Sequence, residues 1–340
     1  MSSISIIIPT YNRAHLITRA IDSAFDAIRA GDEIIVVDDG STDGTNKILM
    51  KYLDRIKYVR TKNQGPGAAR NYGLNIAKNP WIAFLDSDDE WVPDHLEIHR
   101  TILEKNKDIL FSFSNFDVCI TKHNNVKIIN KYLANWCRLK SDWEDVFGSG
   151  IWYSKYCSMP EGREDFKIYD AKEIYHKLML NSYIPAWTSV VKYNNLNAPI
   201  YFPEDIRLYE DWEFFGKLTR VGNAVYLDCS TAINHGHDGS RLTDADSLTH
   251  FNCRIKILER VWERDKEFLK EHKEEYNGII SGQKINRLKY YIKNGDRAKA
   301  LIEIRHMEKC SLLYKILAHL PVIFVKYGII IVRRIFKYNR

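Results

Sequence analysis

Phe84-Leu85-Asp86-Ser87-Asp88-Asp89 closes an apolar run that begins at Trp81. Five apolar residues, Trp81 to Leu85, read as a buried strand. Three carboxylates follow directly, so hard oxygen ligands stand at the strand's C-terminal end. Open α/β sheets bind their ligands at that edge. Carboxylate oxygens there suit Mg2+ or Mn2+, ions usually shared with substrate phosphates. The stretch predicts a site for a metal and a diphosphate.

The chain upstream supplies the rest of such a sheet. Apolar strands are expected over 5–8, 33–37, 56–60 and 109–116, with helices over 14–28, 45–53, 67–78 and 93–105 between them. Alternating strand and helix imply an α/β, doubly wound, mostly parallel sheet. From 117 to 185 the pattern weakens into mixed polar and aromatic residues. A strand over 187–193 and a helix over 209–219 follow. Beyond Asp244 the periodicity is helical, and residues 276–293 and 297–309 read as a helical hairpin joined at Asn294-Gly295-Asp296. The expected domains are 1–243, a helical region over 244–310, and a basic apolar tail over 311–340.

Charge is unevenly placed. Of the net +6, residues 251–340 carry +11, from 21 Lys/Arg and 10 Asp/Glu, so residues 1–250 carry −5. The positive charge lies beside the apolar segment 312–332 rather than on an aromatic platform. That favours an anionic membrane surface over nucleic acid as partner. Lys315, Pro321 and Lys326 interrupt the segment, so an interfacial helix is expected rather than a spanning one. Six scattered cysteines, with no Cys-x-x-Cys pair, fit a reducing compartment. The opening Met1-Ser2-Ser3-Ile4 lacks the basic stretch of a signal peptide.

Three other clusters fall at expected strand ends or helix starts. Pro9-Thr10-Tyr11-Asn12-Arg13 follows the first strand, Asp38-Asp39-Gly40-Ser41 the second, and Gly65-Pro66-Gly67-Ala68-Ala69-Arg70 opens a helix. A tyrosine ring can stack on a base, and a carboxylate can accept hydrogen bonds from a base or ribose. Arg70, near a helix start, favours an anion. No Gly-x-x-x-x-Gly-Lys-[Ser/Thr] is present, which excludes a P-loop. No Gly-x-Gly-x-x-Gly follows the first strand, which weighs against a dinucleotide oxidoreductase.

These runs, with Tyr209-Glu210-Asp211-Trp212-Glu213 and His237-Asp238-Gly239-Ser240 further on, resemble the inverting family 2 glycosyltransferases of the GT-A fold. The resemblance implies a Rossmann-like nucleotide-binding half, an acceptor half and a helical C-terminal extension. It places Pro9, Thr10, Tyr11, Arg13, Asp39, Arg70, Asp86 and Ser87 around a nucleotide-sugar donor, expected to be a UDP-sugar. Asp88 and His237 would hold a divalent metal, Mn2+ or Mg2+, and Asp211 would be the general base. His235 stands where relatives often carry Arg. The expected acceptor is a glycan hydroxyl, lipid-linked, in bacterial surface polysaccharide such as O-antigen or capsule. The enzyme would then work at the inner face of the plasma membrane. A nucleotidylyltransferase is the alternative enzyme, and a non-catalytic membrane-docked nucleotide-sugar-binding protein the alternative class. Trp91 and Trp212 read as packing residues, and Asp89 as a cap of the next helix or a support for Asp88.

Overall fold

The computed structural model describes residues 2–122, 125–236, 242–307 and 311–320. The chain divides into two compact units, Met1–Ser240 and Arg241–Arg340.

The first unit opens as the apolar runs dictate. β1 (Ile4–Thr10), α1 (Ile17–Ala27), β2 (Glu33–Asp38), α2 (Thr45–Leu49), β3 (Lys57–Arg60), α3 (Pro66–Ile76) and β4 (Trp81–Phe84) alternate along the chain. All seven residues of β1 are buried, so it sits centrally between β2 and β4. Both pairings are parallel, as is β2 with β3. β5 (Glu90–Trp91), α4 (His95–Lys105), β6 (Ile109–Lys122) and β7 (Asn125–Ile129) follow. Next come α5 (Leu133–Trp136), α6 (Trp143–Phe147), β8 (Ile151–Trp152), β9 (Lys167–Asp170), α7 (Ile174–Leu180) and β10 (Ser189–Val191). α8 (Glu210–Val221) and β11 (Asn223–His235) complete the unit. The main sheet order is β3-β2-β1-β4-β10-β6-β11-β9-β8.

The α/β expectation holds, and the parallel order is that of β3-β2-β1-β4. Beyond β4 the sheet is mixed. β10 runs antiparallel to both β4 and β6, and β11 is again parallel to β6. The C-terminal ends of β1, β2, β4, β6 and β11 therefore share one edge, where β10 begins. The strand expected over 109–116 continues to Lys122, and the helix expected from Pro93 starts at His95. Pro93 instead lies in a turn that Val92 fastens to the Thr231 carbonyl at 3.1 Å. The strand expected over 187–193 shrinks to Ser189–Val191 between single 3-10 turns. β11 was not anticipated: Asp228-Cys229-Ser230 breaks its alternation, and the pairing with β6 shifts register there.

Under the site edge the core is aromatic. The rings of Phe202 and Phe214 stack at 4.0 Å, and Phe84 meets both edge-on. Asn71 on α3 holds the Phe202 backbone from both sides, donating to its carbonyl at 2.9 Å and accepting from its N–H at 2.8 Å. Gly67 and Gly73 let α3 pack closely. A Cβ on Gly67 would stand 2.4 Å from the Pro203 carbonyl oxygen, and one on Gly73 2.5 Å from Ile7.

The second unit is helical: α9 (Ser247–Val261), α10 (Lys266–Asn294), α11 (Arg297–Arg305) and α12 (Leu312–His319). The expected hairpin is formed by α10 and α11. Gly295, at φ 77°, takes the left-handed conformation that ends α10, and the Asp296 side chain accepts from Lys299 N–H. Leu288, Tyr291, Ile292, Ala300 and Ala318 pack together, and Arg287 grips Glu303 with two nitrogens at 2.9 and 3.0 Å. Among the described residues no helix is long and apolar enough to cross a membrane. Most of the tail expected over 311–340 lies outside them.

Candidate active site

The loops after β1 and β2 lock together. Asn12, at φ 52°, donates its N–H to Ser41 at 2.9 Å, and its side-chain oxygen accepts from Thr42 N–H at 2.7 Å. Pro9 and Thr10 are buried at the end of β1, whereas Tyr11 is 44% exposed. The buried hydroxyl of Thr10 has no hydrogen-bond partner among the described residues.

Asp39 is a fastening as well as a candidate base contact. Its carboxylate accepts from the backbone N–H groups of Gln64 at 2.9 Å and Gly65 at 2.7 Å. Its own N–H donates to the Thr10 carbonyl at 2.8 Å. One residue thus joins the ends of β1 and β2 to the start of α3. An open hollow beside it is lined by Gly40, Arg60, Lys62, Gln64 and Tyr72, among others.

Arg70 connects the two carboxylate groups. Buried in the second turn of α3, it donates at 2.7 Å to Asp86 after β4 and at 2.7 Å to Glu210 at the start of α8. A buried guanidinium is stable only when its charge is matched, and a planar fork can meet two carboxylates at once. Burial by itself would lower the pKa of Arg70, but the two carboxylates hold it above its usual range. Burial lifts the carboxyls of Asp86 and Glu210 above the ordinary range, against the pull of Arg70.

Asp211 stands next to this bridge. Burial first, then the charges of Glu210 and Asp86, push its carboxyl up to about 7, opposed by Arg70. One of its oxygens accepts from the Trp212 N–H at 2.8 Å. A carboxylate near neutrality can take a proton from a hydroxyl and give it up again. The preceding residue, Tyr209, has φ 65°, so the chain turns sharply into α8 and presents Glu210 and Asp211 at its first turn.

After β4, Ser87 is buried, and the Arg13 Nε lies 3.4 Å from an oxygen of Asp88. Arg19 donates to the Asp88 carbonyl at 2.6 Å. Asp86 and Asp88 side chains keep 23% and 25% of their surface exposed. Two partly accessible carboxylates two residues apart are a hard-oxygen donor set, which fits Mn2+ or Mg2+. Asp89 is buried and turns the other way, accepting from Asn234 at 2.9 Å and from the His235 N–H at 3.3 Å. His235 in turn meets Glu90 at 2.7 Å. The expected metal ligand His237 lies outside the described residues.

Trp91 and Trp212 are buried and bind backbone, donating to the carbonyls of Trp187 and Leu178, both at 2.7 Å. Sequence reasoning passed over Glu210, Arg19 and Trp187. Glu210 carried one signal, an acidic neighbour to Asp211 facing the core side of its helix. Arg19 carried none, because its partner is a backbone carbonyl 69 residues away.

Residues 5–169 match the model for glycosyl transferase family 2. An uncharacterized glycosyltransferase of Rickettsia conorii, RC0461, is 42% identical over 117 residues, 34% of this chain and 19% of that protein. The Escherichia coli UDP-Glc:alpha-D-GlcNAc-diphosphoundecaprenol beta-1,3-glucosyltransferase WfgD is 37% identical over 133 residues, 38% of this chain and 51% of its own. The chain thus spans a fifth to a half of the length of these curated relatives. S. aureus TarS 1-349 in complex with UDP-GlcNAc shares the fold at a TM-score of 0.52 and 20% identity, over 87% of this chain and 76% of that one. The mannosyltransferase PcManGT of Pyrobaculum calidifontis, in complex with GDP-Man and Mn2+, does so at 0.50 and 15%, over 95% and 87%. At these identities the likeness shows the fold, which is of the GT-A type. The family model and the relatives' names agree on one class of enzyme, a glycosyltransferase.

Proposed function

We propose that this chain transfers a sugar from a UDP-sugar to a hydroxyl of a lipid-linked glycan, with inversion at the anomeric carbon. The observation that carries the reading is the Arg70 bridge. It joins the carboxylate cluster after β4 to the helix start that bears Asp211, whose carboxyl is tuned to about 7.

Asp211 takes the proton from the acceptor hydroxyl. The oxygen bonds to the anomeric carbon while that carbon's bond to the diphosphate oxygen breaks, and the nucleoside diphosphate leaves with the electron pair. No covalent intermediate on the protein is needed. Asp88 would hold the divalent ion, which supplies charge stabilisation for the departing diphosphate when bound, and Asp86 would face the ribose or donor sugar. Tyr11 would stack on the base, with Pro9, Thr10 and Asp39 around it. Arg13, 3.4 Å from Asp88, brings positive charge to the same edge. The donor base follows the UDP-Glc named for the E. coli relative, as does the diphospholipid acceptor.

Membrane-surface docking through the C-terminal tail belongs to the same reading. On α12, Leu312, Leu313 and Ile316 are exposed, within the segment that carries the chain's excess of Lys and Arg. Such a placement suits assembly of a surface polysaccharide at the inner face of the plasma membrane.

Assays of sugar transfer and of nucleoside diphosphate release, with Asp88→Ala and Asp211→Asn, test the site. Both variants should lose transfer. Full activity in both would sink the assignment.

A further inference from the structure

We propose that Trp136 and Trp187 form a subsite for the sugar ring of the acceptor. It rests on the glycosyltransferase reading above. The turn before β10 places Trp187 at the site edge. β10 pairs Val190 with Ala83 near the C-terminal end of β4, and Trp187 lies in the 3-10 turn Ala186–Thr188 that leads into β10. On its other side β10 pairs Ser189 with Phe113 of β6, and the Trp187 ring meets Phe116 of the same strand at 5.5 Å. Trp187 therefore stands between the donor strand and β6, at the start of the half that the nucleotide residues do not occupy.

Trp136 is brought to the same place by backbone. The Tyr132 N–H donates to the Phe116 carbonyl at 2.7 Å, and the Leu133 N–H to the Asn115 side chain at 3.0 Å. These bonds anchor α5 to β6 at Asn115 and Phe116, the latter in ring contact with Trp187. The two indoles meet edge-to-face at 5.7 Å, and Phe116 packs edge-on against both. Trp136 remains 41% exposed, whereas Trp187 is 6% exposed.

The independent sign of a ligand is the Trp187 indole nitrogen. It is a buried donor with no acceptor among the described residues. Trp91 and Trp212, equally buried, each reach a carbonyl at 2.7 Å. An indole N–H can only donate, so its natural partner is an oxygen from outside. An exposed ring beside an unpaired N–H is an amphipathic pair. Its complement has an apolar C–H face and hydroxyl oxygens at the rim, which describes a pyranose ring.

The test uses a GlcNAc-diphospholipid analogue as acceptor probe and UDP-glucose as donor. Trp136→Ala should raise the acceptor KM about tenfold, the size expected for one lost aromatic contact. Trp187→Phe, which keeps a ring and removes the N–H, should raise it several-fold. UDP affinity by calorimetry should hold in both. Saturation-transfer NMR with the probe and UDP gives a readout without turnover: transfer to the sugar C–H protons should fall in Trp136→Ala. Unchanged acceptor KM and unchanged saturation transfer would overturn the subsite. Saturation transfer that depends on Trp136 in a wild-type protein releasing no UDP would keep the subsite and count against the enzymatic reading instead.

Discussion

The guanidinium of Arg70 donates to the carboxylate of Glu210 at 2.7 Å, across 140 residues of sequence. With its second contact to Asp86, this closes the site from the α8 side. Removing Arg70 would leave the buried Glu210 and the partly accessible Asp86 without their counter-charge. Arg70→Ala is expected to cost about 3–5 kcal/mol of stability, the usual penalty for breaking a buried pair from one side. Urea unfolding of variant and wild type measures it. A loss below 1 kcal/mol would show that water already compensates these carboxylates.

Asp211 should govern the acid limb of the rate profile. With its carboxyl at about 7, the fraction competent as a base rises as pH passes through that value. kcat should therefore climb between pH 6 and 8 in the wild type. Asp211→Asn should lower kcat by roughly 10²–10⁴, the range of general acid–base catalysis. Its residual rate should lack that limb.

The same residue makes a stability prediction of opposite flavour. A raised folded-state pKa means that Asp211 favours folding below its unfolded value near 3.8, and that this contribution is lost as pH rises through about 7. Asn at that position stays neutral at every pH. Asp211→Asn should thus melt higher than wild type at pH 8, and the gap should close toward pH 4. Thermal scans at several pH values read this directly.

Asp88 should couple the metal to the donor. In the wild type, Mn2+ is expected to tighten UDP binding by roughly 5–150-fold, the common span of ligand coupling. Asp88→Ala should bind UDP equally with Mn2+ and with EDTA. Calorimetry under both conditions decides it.

Close packing of α3 gives a structural check. A methyl at Gly67 would drive into the Pro203 carbonyl, which is backbone and yields poorly. Gly67→Ala should destabilise by about 1–3 kcal/mol, as overpacking does. Because Gly67 precedes Arg70 by one turn, the variant should also weaken UDP binding.

On the second unit, replacing Leu312, Leu313 and Ile316 together by Glu should release the protein from vesicles containing anionic phosphatidylglycerol. Co-sedimentation measures the bound fraction. An unchanged fraction would remove α12 from the membrane reading.

The parallel half of the sheet was legible because its signals are local. The apolar runs at Ile6-Ile7-Ile8 and Trp81–Leu85 have no competing interpretation, and each ends in polar residues that cannot continue a buried strand. The half of the sheet beyond β4 was not, since its pairings are distant and its alternation is broken. β11 bonds to a strand more than a hundred residues earlier, with its register shifting at Leu227/Ser230. The site residues divide in the same way. Asp39, Asp86 and Asp88 were visible as types at strand ends. That Asp39 grips the Gln64–Gly65 backbone, or that Asp89 faces Asn234, depends on which loops the fold brings together.

β10 is only three residues long, yet it runs against both of its neighbours. The long excursion from the end of β6 to Trp187 adds β7 beside β6 and β9 and β8 beyond β11, and returns to the sheet through β10. Residues can be added, removed or exchanged along that excursion without disturbing a hydrogen bond among β1, β2, β3 and β4. On the function proposed above, a lineage built on this plan can retire one acceptor and adopt another while inheriting its donor grip unchanged.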